Sequence, residues 1–415
     1  MMSQLDWKFD FNNLVKEFGN PFYLYDELKI EQIVNKFKMI TYKSTSIHFA
    51  TMSNNTPKIL QILKKLGVKL FVNSPKHLII GLDAGFSTEE IVFTSTNLSE
   101  NDMKYAIASN VKLNVDSLGQ LDMYGRLNPG GSVGLRINLD KLSHFPESHV
   151  GVYIGPKSRI GIFESELDKA FSIAQKYNLK LRGVHVYLGT NIQEHQIFLE
   201  GAEEVFRIAK RFPDLRYIDL GGGFPVKVRP EETEFNFKAF GEAISKRMEK
   251  FCDEFGREIE LIFEPGRYML SDAAVFVTTV TDIKNRADRT YIGVDSSIDI
   301  FPRPLYYDVY TEAYHPVFVS GKNEVLTDKY IDICGSTTYS RDYLARDRYL
   351  PKIEIGDILV FEKAGAYCCS AFSEFLGRPH PLELLINSEN NVKIVRKSED
   401  IISPDKIASI YDIKY

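Results

Sequence analysis

Cysteine is scarce: four residues in 415, Cys252, Cys334, Cys368 and Cys369. No two of them stand in a Cys-x-x-Cys spacing, which argues against a zinc ribbon or a dithiol redox motif. So low a count fits a reducing compartment. A basic excess is missing as well. Lys and Arg number 51 against 56 Asp and Glu, a net charge of −5, so no strongly basic segment is there to neutralise a nucleic-acid backbone. No apolar run reaches the roughly 18 residues that a transmembrane helix needs. The opening MMSQLDWKFDFNN is charged and has no apolar h-region, so it is read as no signal peptide. The expectation is a cytoplasmic protein with neither membrane nor nucleic acid as partner. Hydrophobic residues make up 44%, normal for a globular protein, and the length calls for two domains rather than one core.

What the chain does have is alternation. Strand-like runs SIHFAT (46–51), KLFVN (69–73), IVFTS (91–95), KLNVD (112–116), SVGLRIN (132–138), LRGVHVYLG (181–189), LRYIDLGGG (215–223) and EIELIFEPGR (258–267) follow one another. All but the last lead into a stretch with helical apolar spacing, such as TPKILQILKKLG with its Ile59, Leu60, Ile62 and Leu63 stripe. Thr56-Pro57 reads as N-cap and first turn. Strands alternating with helices mean parallel βαβ units, and eight of them close a barrel. The strands alternate little in polarity, as expected when both faces are buried. After Arg267 the pattern becomes strands without long helices between them. The reading is an α/β protein: a (β/α)8 barrel over residues 31–270, an all-β domain over 271–415, and an N-terminal segment, 1–30, that joins the β domain through the strand candidate NPFYLYD.

Two signatures carry chemistry, and both sit where such barrels hold phosphate, after strands seven and eight. Gly221, Gly222 and Gly223 would let backbone N–H groups approach a phosphate; by themselves they could equally be a turn with unusual φ angles. Glu264-Pro-Gly266-Arg267 places a carboxylate able to pair with a protonated ring nitrogen and a guanidinium able to clamp phosphate. Its plainer alternative is a Glu–Arg ion pair closing the barrel. His185 and His195 do not share a metal-binding spacing, and no metal site is expected. Cys368 and Cys369, in a run of small residues, are read as buried packing.

Taken together, NPFYLYD, DLGGGFP, EPGR, RPLYY followed by YHP, GAY and FLGRPHP resemble, in order and over nearly the whole chain, the fold-type III pyridoxal-phosphate decarboxylases, the diaminopimelate and ornithine decarboxylase group. That resemblance implies the alanine racemase-like fold, pyridoxal 5'-phosphate as cofactor, an amino acid or amine as substrate, and a head-to-tail homodimer. It implies that Glu264 faces the pyridine nitrogen, that Gly221, Gly222, Gly223, Arg267 and Tyr367 hold the phosphate, and that Gly266 also lies at the cofactor. Arg303 and Tyr307 would meet a substrate carboxylate, and Asp342 the substrate's distal end.

The chain departs from the family pattern at several places. The lysine that forms a Schiff base with the cofactor is replaced by Met52, in Phe49-Ala-Thr-Met-Ser-Asn54, and a thioether cannot form one. The histidine stacked on the ring is Tyr187. The cysteine that reprotonates the carbanion is Thr338. The acids of strand two are Phe71 and His77. Lys76, after strand two, and Lys363, before GAY, are the lysines that could substitute; each is otherwise a solvated surface residue. Two readings follow: a decarboxylase that holds pyridoxal phosphate without a covalent bond or through another lysine, or a non-catalytic or repurposed homologue that binds pyridoxal phosphate, an adduct of it or another phosphorylated ligand.

Overall fold

The computed structural model describes residues 7, 9–140, 142, 153–308, 313–322, 327 and 329–397. In chain order its strands are β1 (Phe22–Asp26), β2 (Thr45–Ala50), β3 (Lys69–Val72), β4 (Ile91–Thr94), β5 (Lys112–Val115), β6 (Ser132–Asn138), β7 (Ile162–Phe163), β8 (Lys180–His185), β9 (Tyr217–Asp219) and β10 (Glu260–Phe263). Then come β11 (Ala274–Asn285), β12 (Arg289–Val294), β13 (Val317–Val319), β14 (Tyr330–Cys334), β15 (Tyr343–Arg348), β16 (Ile358–Phe361), β17 (Leu382–Ile386) and β18 (Val392–Arg396). The described parts of Gln32–Val226 and Thr233–Tyr268 form one compact unit; those of Met1–Glu31, Lys227–Glu232 and Met269–Ile401 form another.

The first unit is a closed eight-stranded parallel barrel. Its strands run β5-β4-β3-β2-β10-β9-β8-β6, and β5 pairs with β6 to close the ring; the two-residue β7 lies against β6. Local chemistry sets the helices between them. Ser74, Ser99, Ser117 and Asn236 each accept a bond from the backbone N–H three residues on, starting the helices Pro75–Asp83, Glu100–Ala108, Leu118–Leu127 and Phe237–Phe255. The barrel interior is filled. Tyr217 from β9 lies across it, its hydroxyl donating to Asn114 Oδ1 at 2.6 Å. The ring fits because Gly134 and Gly183 lack side chains: a Cβ on Gly183 would stand 2.0 Å from Tyr217 Cζ. Where β2, β3, β5 and β10 begin, Glu260 accepts from Lys112 at 2.6 Å, Lys69 at 3.2 Å and Ser46 at 2.7 Å. A network at the N-terminal face of such a barrel serves stability rather than chemistry.

The second unit is mostly β. One sheet runs β15-β14-β12-β11-β1-β17-β18, with β16 on β11 and β13 on β16. Strand β1 is antiparallel to β11 and parallel to β17. Trp7, Phe11, Leu14, Phe22, Leu24, Val275, Val360 and Leu384 share one core. On the other face of β1, Tyr23 packs on Phe276, and Phe276 stacks on Phe301 at 4.8 Å.

The expected fold stands, but several strands end earlier than their apolar composition suggests. The seventh covers Tyr217–Asp219 rather than 215–223, and the eighth Glu260–Phe263 rather than 258–267. The glycines and the Glu-Pro-Gly-Arg run lie beyond the ladder, because positive φ angles and a proline do not continue it. Strands β7, β15, β17 and β18 escaped the sequence pattern.

Candidate active site

Three adjacent strands of the barrel deliver three ionisable side chains to one point. His185 ends β8, Asp219 ends β9 and Glu264 follows β10; they are 1%, 0% and 5% exposed. His185 Nε2 is 3.1 Å from Glu264 Oε2, and a donor atom of each lies within 4.8 Å of the others. Asp219 Oδ1 accepts from Gly221 N at 2.9 Å. His185 Nδ1, Asp219 Oδ2 and Glu264 Oε1 are buried with no hydrogen-bond partner in the protein. Burial raises Glu264 to about 7 and lowers His185 to about 4. Burial, then the neighbouring Glu264, holds Asp219 well above the usual carboxylate range. All three shifts favour the uncharged forms, as desolvation and two carboxylates side by side require. Arg136, half-buried and 3.4 Å from Asp116, is the nearby cation. A cation placed at Glu264 Oε1, whether a protonated ring nitrogen or a metal ion, would meet an acceptor already desolvated and aimed.

The glycine run forms the next part of the site. Gly221 has φ +67 and Gly223 φ +102, conformations that side chains rarely adopt. Space is as restrictive as angle. A Cβ on Gly221 would be 2.4 Å from Val186 O, on Gly222 2.5 Å from Glu264 O, and on Gly223 2.3 Å from Gly189 O. The loops after β8, β9 and β10 are bonded to one another. Glu264 N donates to Gly221 O at 2.8 Å and Ile192 N to Gly223 O at 2.9 Å. Asn191 Oδ1 accepts from both Val226 N at 3.2 Å and Arg267 Nη1 at 3.1 Å. Arg267 is thereby oriented by the β8 loop, and Glu264 is not its ion-pair partner, which removes the plainer reading of EPGR. Gly266 is buried between them.

At the end of β2 the chain turns through Thr51, Met52 and Ser53. Thr51 N and Oγ1 both donate to Phe71 O at 3.0 Å, and Ser53 Oγ donates to Ala50 O at 2.8 Å. Met52 is half-buried on this turn. Tyr187, also half-buried, has its ring 5.1 Å from that of Tyr153, tilted by 49°. Phe71 and His77 are half-buried, with His77 Nδ1 2.8 Å from Asn73 Oδ1. Lys76 is exposed.

The remaining residues belong to the β unit. Arg303, 4% exposed, starts the short helix Arg303–Tyr306. Its guanidinium is 4.4 Å from the ring of Tyr307 and 5.8 Å from that of Tyr367, so these three come together. Asp342 is buried and accepts from Ile298 N at 2.9 Å, Thr337 N at 3.0 Å and Thr337 Oγ1 at 2.5 Å. It organises the loop in which Thr338 is exposed. Lys363 Nζ is 2.6 Å from Asp272 Oδ1. Sequence reasoning weighed His185 only as a metal ligand and set it aside, and it missed Arg136 and Asn191. Only the position of His185 two residues before Tyr187, on the same strand run, could have signalled its place here.

A model of the pyridoxal binding domain of pyridoxal-dependent decarboxylases matches residues 28–271. This chain belongs to that family. Diaminopimelate decarboxylase from Methanothermobacter thermautotrophicus is 30% identical over 397 residues, covering 93% of this chain and 91% of that protein. The Aquifex aeolicus enzyme is 27% identical over 398 residues, 93% of this chain and 91% of that one. Among solved structures, diaminopimelate decarboxylase from Helicobacter pylori complexed with L-lysine superposes with a TM-score of 0.84 at 26% identity, covering 97% of this chain and 99% of that one. Pyridoxal chemistry is therefore the family's background. Among the described residues, no helix is long and apolar enough to cross a membrane.

Proposed function

We propose that this chain holds pyridoxal phosphate non-covalently in its barrel and that it is a diaminopimelate decarboxylase relative in which decarboxylation is slow or lost. One contrast carries the reading: the glycine run, Arg267 and the buried Glu264 stand where the resemblance would have the phosphate and the ring nitrogen held, while Met52 stands where the family has its amine. Support for the first part comes from the glycine run after β9, which packs backbone to backbone against the neighbouring loops, from Arg267 oriented by Asn191, and from the buried Glu264 Oε1. When bound, pyridoxal phosphate supplies an electron sink for a carbanion on an amino-acid substrate. The chain's own groups would do the rest. Gly221–Gly223 and Arg267 would bind the phosphate, with Tyr367 added as the family resemblance implies. Glu264, flanked by His185 and Asp219, would hold a proton toward the ring nitrogen, and Tyr187 would pack on the ring. Arg303 and Tyr307 would take a substrate carboxylate, and Asp342 would act by shaping the Thr337–Thr338 loop.

A decarboxylase anchored through another lysine is the second reading, and the geometry favours it less. Lys363 is ion-paired to Asp272, and Lys76 is exposed, so neither offers an amine that is both desolvated and unpaired. The test is spectroscopic and chemical. Pyridoxal phosphate should bind the purified chain, leave on dialysis, and not be fixed to it by borohydride. Met52→Lys should gain fixation on the peptide carrying residue 52. Arg267→Ala should weaken binding tenfold or more. Fixation on a Lys76 or Lys363 peptide of the unaltered chain would establish the second reading, and no binding at all would overturn both. Carbon dioxide release from diaminopimelate, lysine or ornithine is expected to be absent or far below that of the decarboxylases.

A further inference from the structure

Cys369 and Cys368 read as packing residues in the sequence, yet Cys369 has chemical company. It sits in the short turn Cys369–Ala371 after β16, 3% exposed, with its Sγ 3.6 Å from His380 Nε2. His380 Nδ1 is 2.8 Å from the carbonyl of Pro381, so the Nδ1–H donates there and Nε2 presents a lone pair to the sulfur. The ring of Phe372 meets the His380 ring edge to face at 4.9 Å, fixing its plane. Glu383, fully buried at the start of β17, completes the group: Sγ, an imidazole nitrogen and a carboxylate oxygen lie within 4.8 Å of one another. Tyr25 Oη donates to Glu383 Oε2 at 2.7 Å, and Arg396 Nη1 is 3.1 Å from Oε1. These contacts hold the carboxylate in place beside the sulfur.

We propose that Cys369, His380 and Glu383 form a three-ligand site for a divalent cation of the zinc class, with a fourth position left to solvent. Donor type and geometry agree. Thiolate with imidazole suits zinc above magnesium or calcium. Bonds of about 2.3 Å to sulfur and about 2.05 Å to nitrogen at a tetrahedral angle put the two ligand atoms about 3.6 Å apart, as found. The outer partners are of the kind that hold metal ligands: an imidazole N–H on a backbone carbonyl, and a carboxylate braced by a hydroxyl and a guanidinium. Metal binding releases the thiol proton to solvent as the Cys369 sulfur takes the metal. The site lies wholly in the β unit and is independent of the cofactor reading.

The experiment is a titration of the reduced full-length chain with Co2+, followed by Zn2+. One equivalent of Co2+ should give a thiolate-to-metal absorption band with tetrahedral d–d bands, and Zn2+ should abolish both. Cys369→Ser should lose the band and His380→Gln should weaken binding at least tenfold, each with the circular dichroism of the parent. Cys368→Ser and Cys252→Ser should keep it. His185, Asp219 and Glu264 hold no sulfur, so the band cannot arise from them. No band at saturating Co2+, or a band that survives Cys369→Ser, overturns the site and leaves a plain S–H···N hydrogen bond.

Discussion

Glu264 shows how a single residue's surroundings decide its use. Burial raises it from an ordinary 4.5 to about 7, so the folded chain binds a proton that the unfolded chain has released. The stability held by the neutral form is complete below pH 4.5 and is lost as pH rises through about 7. Glu264→Gln keeps the group uncharged throughout. Its stability relative to the parent should therefore climb between pH 4.5 and 7, by up to about 3 kcal/mol for a shift of this size, as read from denaturant midpoints at several pH values. The same variant should bind pyridoxal phosphate more weakly if a carboxylate is needed at the ring nitrogen. Glu264 and Arg267 were legible because they share one short motif. The His185–Glu264 contact spans 79 residues and was not, since it exists only once β8 and β10 have paired with either side of β9.

Among the elements, the beginnings and ends of the barrel strands do different work. Where the strands begin, burial opposes the charge on Glu260 but Lys112 and Lys69 overcome it and hold its carboxyl down to about 2. A lowered carboxyl contributes stability above pH 4.5 that is lost as pH falls toward 2. Glu260→Gln should cost roughly 2 kcal/mol at neutral pH by stranding two part-buried lysines, with the difference from the parent shrinking in acid. Where the strands end, Gly221→Ala or Gly223→Ala should each force backbone apart from backbone. The expected result is a loss of roughly 1–3 kcal/mol of stability and at least tenfold weaker binding of pyridoxal phosphate, measured by calorimetry. Apolar runs and caps made these elements readable from the sequence. Strand β15 stayed hidden because Arg346, Asp347 and Arg348 supply half of it and Asp347 adopts φ +53, which no strand pattern anticipates.

For the whole molecule, the order of motifs along the chain was enough to give the fold, since each βα unit declares itself locally. The assembly was not readable in this way. A head-to-tail homodimer remains our proposal, supported by exposed Tyr306 and Phe375 near the Arg303–Tyr307 and Tyr339 segments of the β unit. Sedimentation should give twice the 47.4 kDa chain mass, and Phe375→Lys should shift it toward the monomer. Strand β1 adds a temporal constraint. One of its edges is closed by β11, but the other waits for β17, and the Tyr25–Glu383 bond across that seam joins residues 358 positions apart. At roughly 5–20 residues per second, a ribosome needs on the order of tens of seconds to deliver the second neighbour. The barrel can mature during that interval while an unpaired backbone edge stands open, so a chain terminated before Leu382 would emerge with a permanent template for self-association.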